Sequence, residues 1–192
     1  MKIGVLAAQG AFTEHIAVLR KLGVDAVPVR LPQELDGLDG LIIPGGESTT
    51  ISKLITDYNL TGKIKELAEK GLPVMGTCAG MIMLADTVPD SRVTSLGLMS
   101  ISVNRNAFGR QKESFETELD IPELGEEPFH AVFIRAPSIE RSNGNVEILA
   151  RLDNGPGVAA RQGKLLATAF HPELTDDPRF HQYFLDIVAG KR

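Results

Sequence analysis

LPVMGTCAGMIMLA, residues 72–85, reads as a strand, a tight turn and a helix with no spacer between them. The segment 72–76 is apolar throughout, as a strand covered on both faces must be. GTCAG at 76–80 then turns the chain, and an almost wholly apolar helix follows through Ala85. The same alternation extends outward in both directions. Residues 2–7 form an apolar strand, and Phe12, Ile16, Leu19 and Leu22 recur at helical spacing before Gly23 ends the helix. Val24, Val27 and Val29 predict a second strand, which Pro28 places at a sheet edge. Residues 40–44 predict a third. Ser48 stands where a helix cap belongs, ahead of Ile51, Leu54, Ile55 and Tyr58, and Ile64, Leu67 and Ala68 mark a further helix closed by Gly71. Alternation of this kind predicts an α/β fold with a mainly parallel sheet and right-handed crossovers.

Beyond Leu96 the pattern becomes short strand-like segments, at 98–103, 115–121, 131–134, 146–152, 157–160 and 165–170. A final helix is expected with Asp177 as cap, Pro178 in its first turn, and Phe180, Tyr183, Phe184, Ile187 and Val188 as one apolar stripe. No repeat, linker or low-complexity stretch interrupts the chain, so residues 1–192 are expected to form one domain.

Bulk properties narrow the function classes. The net charge of −5, with no basic cluster, argues against a nucleic-acid partner, and 5% aromatic residues without tryptophan argue against a base-stacking surface. No apolar run approaches the roughly 18 residues of a membrane span. The chain opens directly on a strand rather than a signal peptide, and its single cysteine forms no internal disulfide. A cytoplasmic location is therefore expected.

Cys78 sits in a G-x-nucleophile-x-G elbow with sulfur in place of the serine oxygen. A helix N-terminus favours thiolate, lowering cysteine pKa values from about 8.5 into the range of roughly 3.5–7.5. The N–H of Ala79 faces where an oxyanion would develop. A buried structural cysteine is the bland alternative, and the elbow outweighs it. His171-Pro172-Glu173 follows the last apolar strand, so imidazole and carboxylate project to the same side. Glu173 would then hold the ring tautomer as His171 takes a proton. His15, His130 and His181 lack such a setting, and solvated or partner-facing roles are expected for them. PGGESTT, residues 44–50, allows Gly46 to supply a second oxyanion donor; an ordinary glycine turn and a weakly matched phosphate cradle are its alternatives.

Together these motifs resemble the class I, triad-type glutamine amidotransferases, and within them the glutaminase subunits of pyridoxal 5′-phosphate synthases. The resemblance runs through residues 4–6, 9–10, 14–15, 41–50, 76–80, 104–111, 133–137, 159–163 and 170–176. PGGESTT and the FGRQ stretch at 108–111 are its most specific parts, and Ala8 departs from the larger aliphatic residue expected there. The resemblance implies a flavodoxin-like three-layer sandwich, a mainly parallel central sheet flanked by helices, with short added strands in the second half. It implies L-glutamine as substrate, held by Gly46, Glu47, Ser48, Arg105, Ile134 and Arg135, and a Cys78–His171–Glu173 triad with Gly46 and Ala79 as oxyanion hole. It further implies a separate synthase subunit that receives the ammonia, a gating role for Gln9 near that contact, and no cofactor or metal in this chain. A cysteine peptidase or γ-glutamyl hydrolase could use the same triad. A thiol redox sensor would need the cysteine but not the His-x-Glu.

Overall fold

A computed structural model describes residues 1–105, 114–153 and 155–192. The first half alternates as expected: β1 (Lys2–Leu6), α1 (Phe12–Lys21), β2 (Asp25–Val29), β3 (Gly40–Ile43), α2 (Ser48–Asp57), α3 (Leu60–Glu69), β4 (Val74–Thr77) and α4 (Ala79–Leu84). The second half holds β5 (Ala85–Thr87), β6 (Met99–Asn104), β7 (Ser114–Leu119), β8 (Phe129–Ile134), β9 (Ser138–Ser142), β10 (Glu147–Arg151), β11 (Gly157–Gln162), β12 (Leu165–Thr168) and α5 (Arg179–Val188).

One sheet runs β2-β1-β3-β4-β12-β11-β9-β6-β5, with β10 paired to β11. From β2 to β12 every pairing is parallel, and the pairings among β12, β11, β9, β10 and β6 are antiparallel. The order 2-1-3-4 followed by a fifth parallel strand is the flavodoxin-like one, with helices covering the faces. β7 and β8 form a separate antiparallel ribbon. β3 and β4 are fully buried along their length, which is why their sequences are continuous apolar runs rather than alternating ones. β2 lies at the edge, so Pro28 costs no ladder bond in the sheet interior.

The core joins Ile3, Ile42, Met75 and Leu166 of the sheet to Leu19, Ile51, Ile64 and Met83 of the helices. A cluster of Phe129, Phe133, Phe170 and Phe180 fixes β8 and α5 against the end of β12, with ring centroids 5.4–5.8 Å apart.

Three local expectations change. Ser48 is the first residue of α2 rather than its cap; the cap is Glu47, whose carboxylate accepts the N–H groups of Thr49 and Thr50. Asp177 does accept the Arg179 N–H at 2.9 Å, but the cap position of α5 belongs to Pro178. The strands β5 and β9 were not expected. The FGRQ stretch at 108–111 lies outside the described residues.

Candidate active site

The parallel strands β3, β4 and β12 end at one level, because Ile43 pairs with Gly76 and Thr168 pairs with Thr77. Open α/β sheets present their sites beyond such carboxyl ends. Here the three ends deliver Gly45-Gly46, Cys78 and, after two further residues, His171.

The elbow is too tight for side chains two residues to either side of Cys78. A Cβ at Gly80 would lie 1.9 Å from the Ile43 carbonyl oxygen, and one at Gly76 would lie 2.4 Å from that of Gly80. Cys78 itself has φ 51° and ψ −104°, a conformation costing a non-glycine residue about 1–3 kcal/mol. This strain, held by the packing of α4 on β3 and β4, projects the sulfur out of the sheet. The thiol lies 3.8 Å from the Ile134 carbonyl oxygen and beside the His171 imidazole, close enough to act on its pKa.

His171 Nδ1 lies 2.7 Å from Glu173 Oε1, and the His171 N–H is anchored on the Val132 carbonyl at 2.8 Å. With Nδ1–H committed to a carboxylate, the other ring nitrogen is left for the sulfur. Burial alone would lower the His171 pKa. The hydrogen bonds and negative charge of Cys78 and Glu173 outweigh it and raise the value to about 10. Burial pushes Glu173 upward, but its bond to His171 and the charge of that ring hold it below the usual carboxylate range. The favoured state of His171 is therefore the imidazolium.

A cavity of about 390 Å³ opens over the sulfur, within the range of small-molecule sites. Gly46, Glu47, Ser48, Cys78, Ala79, Arg105, Ile134, Arg135 and His171 all line it, so every expected substrate contact faces one space. Ile82, which sequence reasoning did not single out, joins them from the second turn's worth of α4. Arg105 pairs with Asp90 and lies 3.4 Å from Glu47 Oε1. Partial burial raises the Glu47 pKa, yet the hydroxyl and amide donors of Thr49 and Thr50 bring it to about 2, so the rim stays charged. Arg135 takes φ 45°, which turns the chain sharply at the end of β8.

Gln9 lies over the glycine loop, its Oε1 accepting the Glu47 N–H at 2.7 Å. The Gly45 carbonyl accepts the Ala11 N–H at 3.3 Å. A trans peptide sends its C=O and N–H to opposite sides, so the Gly46 N–H points away from that contact.

Two histidines correct the sequence reading. His15 and His181 are neither solvated nor facing outward; both are fully buried behind Glu173. His15 lies in α1 on the same stripe as Phe12, Ile16 and Leu19, and His181 lies on the inner face of α5 between Phe180 and Phe184. A histidine placed on an apolar helical stripe was the available signal. His130 is exposed, as expected, between Glu116 and Glu118.

A parallel sheet of this order, with a cysteine elbow and an imidazole–carboxylate pair at its carboxyl end, defines the class I glutamine amidotransferase fold. Residues 5–189 match the SNO glutamine amidotransferase family, and the chain belongs to it. A pyridoxal 5′-phosphate synthase subunit PdxT from Herpetosiphon aurantiacus is 59% identical over 97% of this chain and 100% of its own length. Its namesake from Pelotomaculum thermopropionicum is 60% identical, covering 100% of this chain and 98% of its own. A crystal structure of a glutamine amidotransferase, 49% identical, superposes with a TM-score of 0.92 over 97% of this chain and 98% of that one.

Proposed function

We propose that this chain is the glutaminase subunit of a pyridoxal 5′-phosphate synthase, hydrolysing L-glutamine to L-glutamate and passing ammonia to a synthase subunit in the cytoplasm. The observation that carries this reading is the His171 ring held between Cys78 and Glu173 beneath a cavity of substrate size. The identity to relatives named as PdxT subunits supports the choice of substrate and partner.

The Cys78 thiolate attacks the side-chain amide carbon of glutamine. Backbone N–H groups of Ala79 and Gly46 stabilise the tetrahedral oxyanion, each such donor contributing about 2.7–4 kcal/mol in comparable sites. His171 gives its proton to the departing ammonia, leaving a γ-glutamyl thioester on sulfur. The now neutral His171 takes a proton from water as the water attacks the thioester, and glutamate leaves with regeneration of the thiolate. Glu173 transfers no proton; it orients the ring. Glu47, Ser48, Arg105, Ile134 and Arg135 hold the remainder of the glutamine.

Gating acts through Gln9. One bond from Ala11 and one from the Gln9 amide hold the 45–47 loop, so a synthase surface that engages Gln9 would reset the Gly45–Gly46 peptide and complete the oxyanion hole. The test is glutamate release by the purified chain, alone and with the synthase. The Cys78→Ala protein should bind glutamine and release almost no ammonia, and near-normal turnover in it would sink the scheme. Equal rates with and without the synthase would remove the gating while leaving the triad.

A further inference from the structure

Behind Glu173, on the side away from the cavity, lies a closed polar cluster that the mechanism above does not use. His15, Thr77 and His181 are each 0% exposed. His15 Nδ1 lies 2.9 Å from His181 Nε2, and its Nε2 lies 3.1 Å from Thr77 Oγ1 and 3.3 Å from Glu173 Oε2. Thr77 Oγ1 also accepts the Gly45 N–H at 3.1 Å. The cluster therefore touches the triad carboxylate, the residue before the nucleophile and the loop before Gly46.

Burial keeps both rings neutral: it holds His15 below its ordinary pKa and, with the neighbouring His15, brings His181 to about 3. The other charged groups acting on His15 are Glu173, His171 and Glu14. Two proton arrangements remain. If His15 carries its proton on Nδ1, its Nε2 lone pair can accept the Thr77 hydroxyl but also faces a carboxylate oxygen. His181, accepting at Nε2, must then carry its own proton on Nδ1, an atom with no hydrogen-bond partner among the described residues. That arrangement combines electrostatic repulsion with a buried orphan donor. If His15 instead carries its proton on Nε2, the N–H faces Glu173 and Thr77, and His181 Nε2–H donates to His15 Nδ1. The atom left unpartnered is then only a lone pair. Both considerations select the second arrangement.

We infer that His15, ordered by His181, is a positioning residue that presents its Nε2–H to Glu173 Oε2 and thereby fixes the carboxylate that orients His171. Glu173 Oε2 has no hydrogen-bond partner among the described residues, and His15 Nε2, at 3.3 Å, is the nitrogen placed to serve it. The inference rests on the glutaminase reading only for what the triad does, not for how it is held.

The test compares His15→Leu, which removes the N–H, with His15→Gln, which returns an N–H at a similar reach. Two measurements are made: kcat and KM for glutamine in the synthase complex, and the pH dependence of iodoacetamide alkylation of Cys78, the single cysteine of the chain. Removing the outer partner that orients a metal-ligating side chain costs about 10–100-fold, and the same scale is expected for a partner that orients this carboxylate. His15→Leu should lose kcat on that scale with KM little changed, and its alkylation profile should move to higher pH. His15→Gln should recover most of both. A folded His15→Leu protein with normal kcat and an unmoved profile would overturn the inference, as would a His15→Gln protein no better than the leucine one. Should His15→Leu fail to fold, ¹⁵N spectra of the four wild-type imidazoles decide instead. A His15 proton on Nε2 supports the assignment, and one on Nδ1 refutes it. Failure of the wild-type complex to release glutamate would count against the glutaminase reading alone, since alkylation and tautomer are read without turnover.

Discussion

His181 gives the protein a built-in sensitivity to mild acid. Its ring is fully buried, and burial together with its histidine neighbour lowers its pKa from 6.5 to about 3. As pH falls through 6.5 the unfolded chain takes up a proton at this position and the folded chain does not. Stability is therefore present above that pH and is lost as pH falls toward 3, at about 1.4 kcal/mol per pH unit. Between pH 7 and pH 5 the loss from His181 comes to about 2 kcal/mol, with His15 adding in the same direction. Two other histidines act the opposite way: His171 and His130 have raised pKa values, so the stability they contribute grows as pH falls through 6.5 and offsets part of the loss. Glu173 is lowered from 4.5, so its contribution is lost only at more acid pH. For a chain of this size, 2 kcal/mol corresponds to a fall of about 4–8 °C in Tm. In denaturant titrations at pH 7, 6 and 5 the wild type should lose about 2 kcal/mol more than His181→Phe between pH 7 and 5, the difference being the His181 share. An equal slope in the variant, or a His181 ring resonance that titrates near 6.5, would refute the reasoning.

With its proton on His171 retained to about pH 10, kcat/KM for glutamine should hold through neutral pH and fall on an alkaline limb near that value; a limb near 6.5 would contradict the ion pair. Gly80→Ala should force α4 off the Ile43 carbonyl, costing about 1–3 kcal/mol in a thermal melt and most of the glutaminase activity. Glu47→Ala should cost about 1 kcal/mol through the lost cap of α2 and raise KM, because Arg105 and the Thr49–Thr50 turn lose their shared anion at the cavity rim.

The parallel half of the fold was legible because its strands are buried on both faces and its helices carry one apolar stripe each. β9, by contrast, is Ser138-Ile139-Glu140-Arg141-Ser142, polar and mostly exposed beyond Ile139, and it is a strand because β6 and β11 offer their edges to it. β5 has only three residues and exists through pairing with β6. The cap of α2 was misplaced by one residue because a glutamate can bend back onto two N–H groups, a geometry that residue type alone does not announce. The candidate site was readable from strand ends, since elbow and His-x-Glu are local patterns. Burial of His15 and His181 was signalled by their apolar stripes, but their pairing was not, because the partners of His15 are 62, 158 and 166 residues away in the chain.

The position of α5 carries a consequence for biosynthesis. Cys78 leaves the ribosome long before the segment that wires its site, because His171, Glu173 and His181 all belong to the last stretch of chain in this fold. α5 also supplies Phe180, packed against Phe170 just beyond β12, and Phe184, which packs beside Gly40 of β3. A nascent chain stalled short of α5 thus exposes an unfinished core and holds a thiol with no ordered base. Capacity to consume glutamine becomes a late checkpoint of folding: a molecule that turns substrate over has, by that fact, docked its final helix.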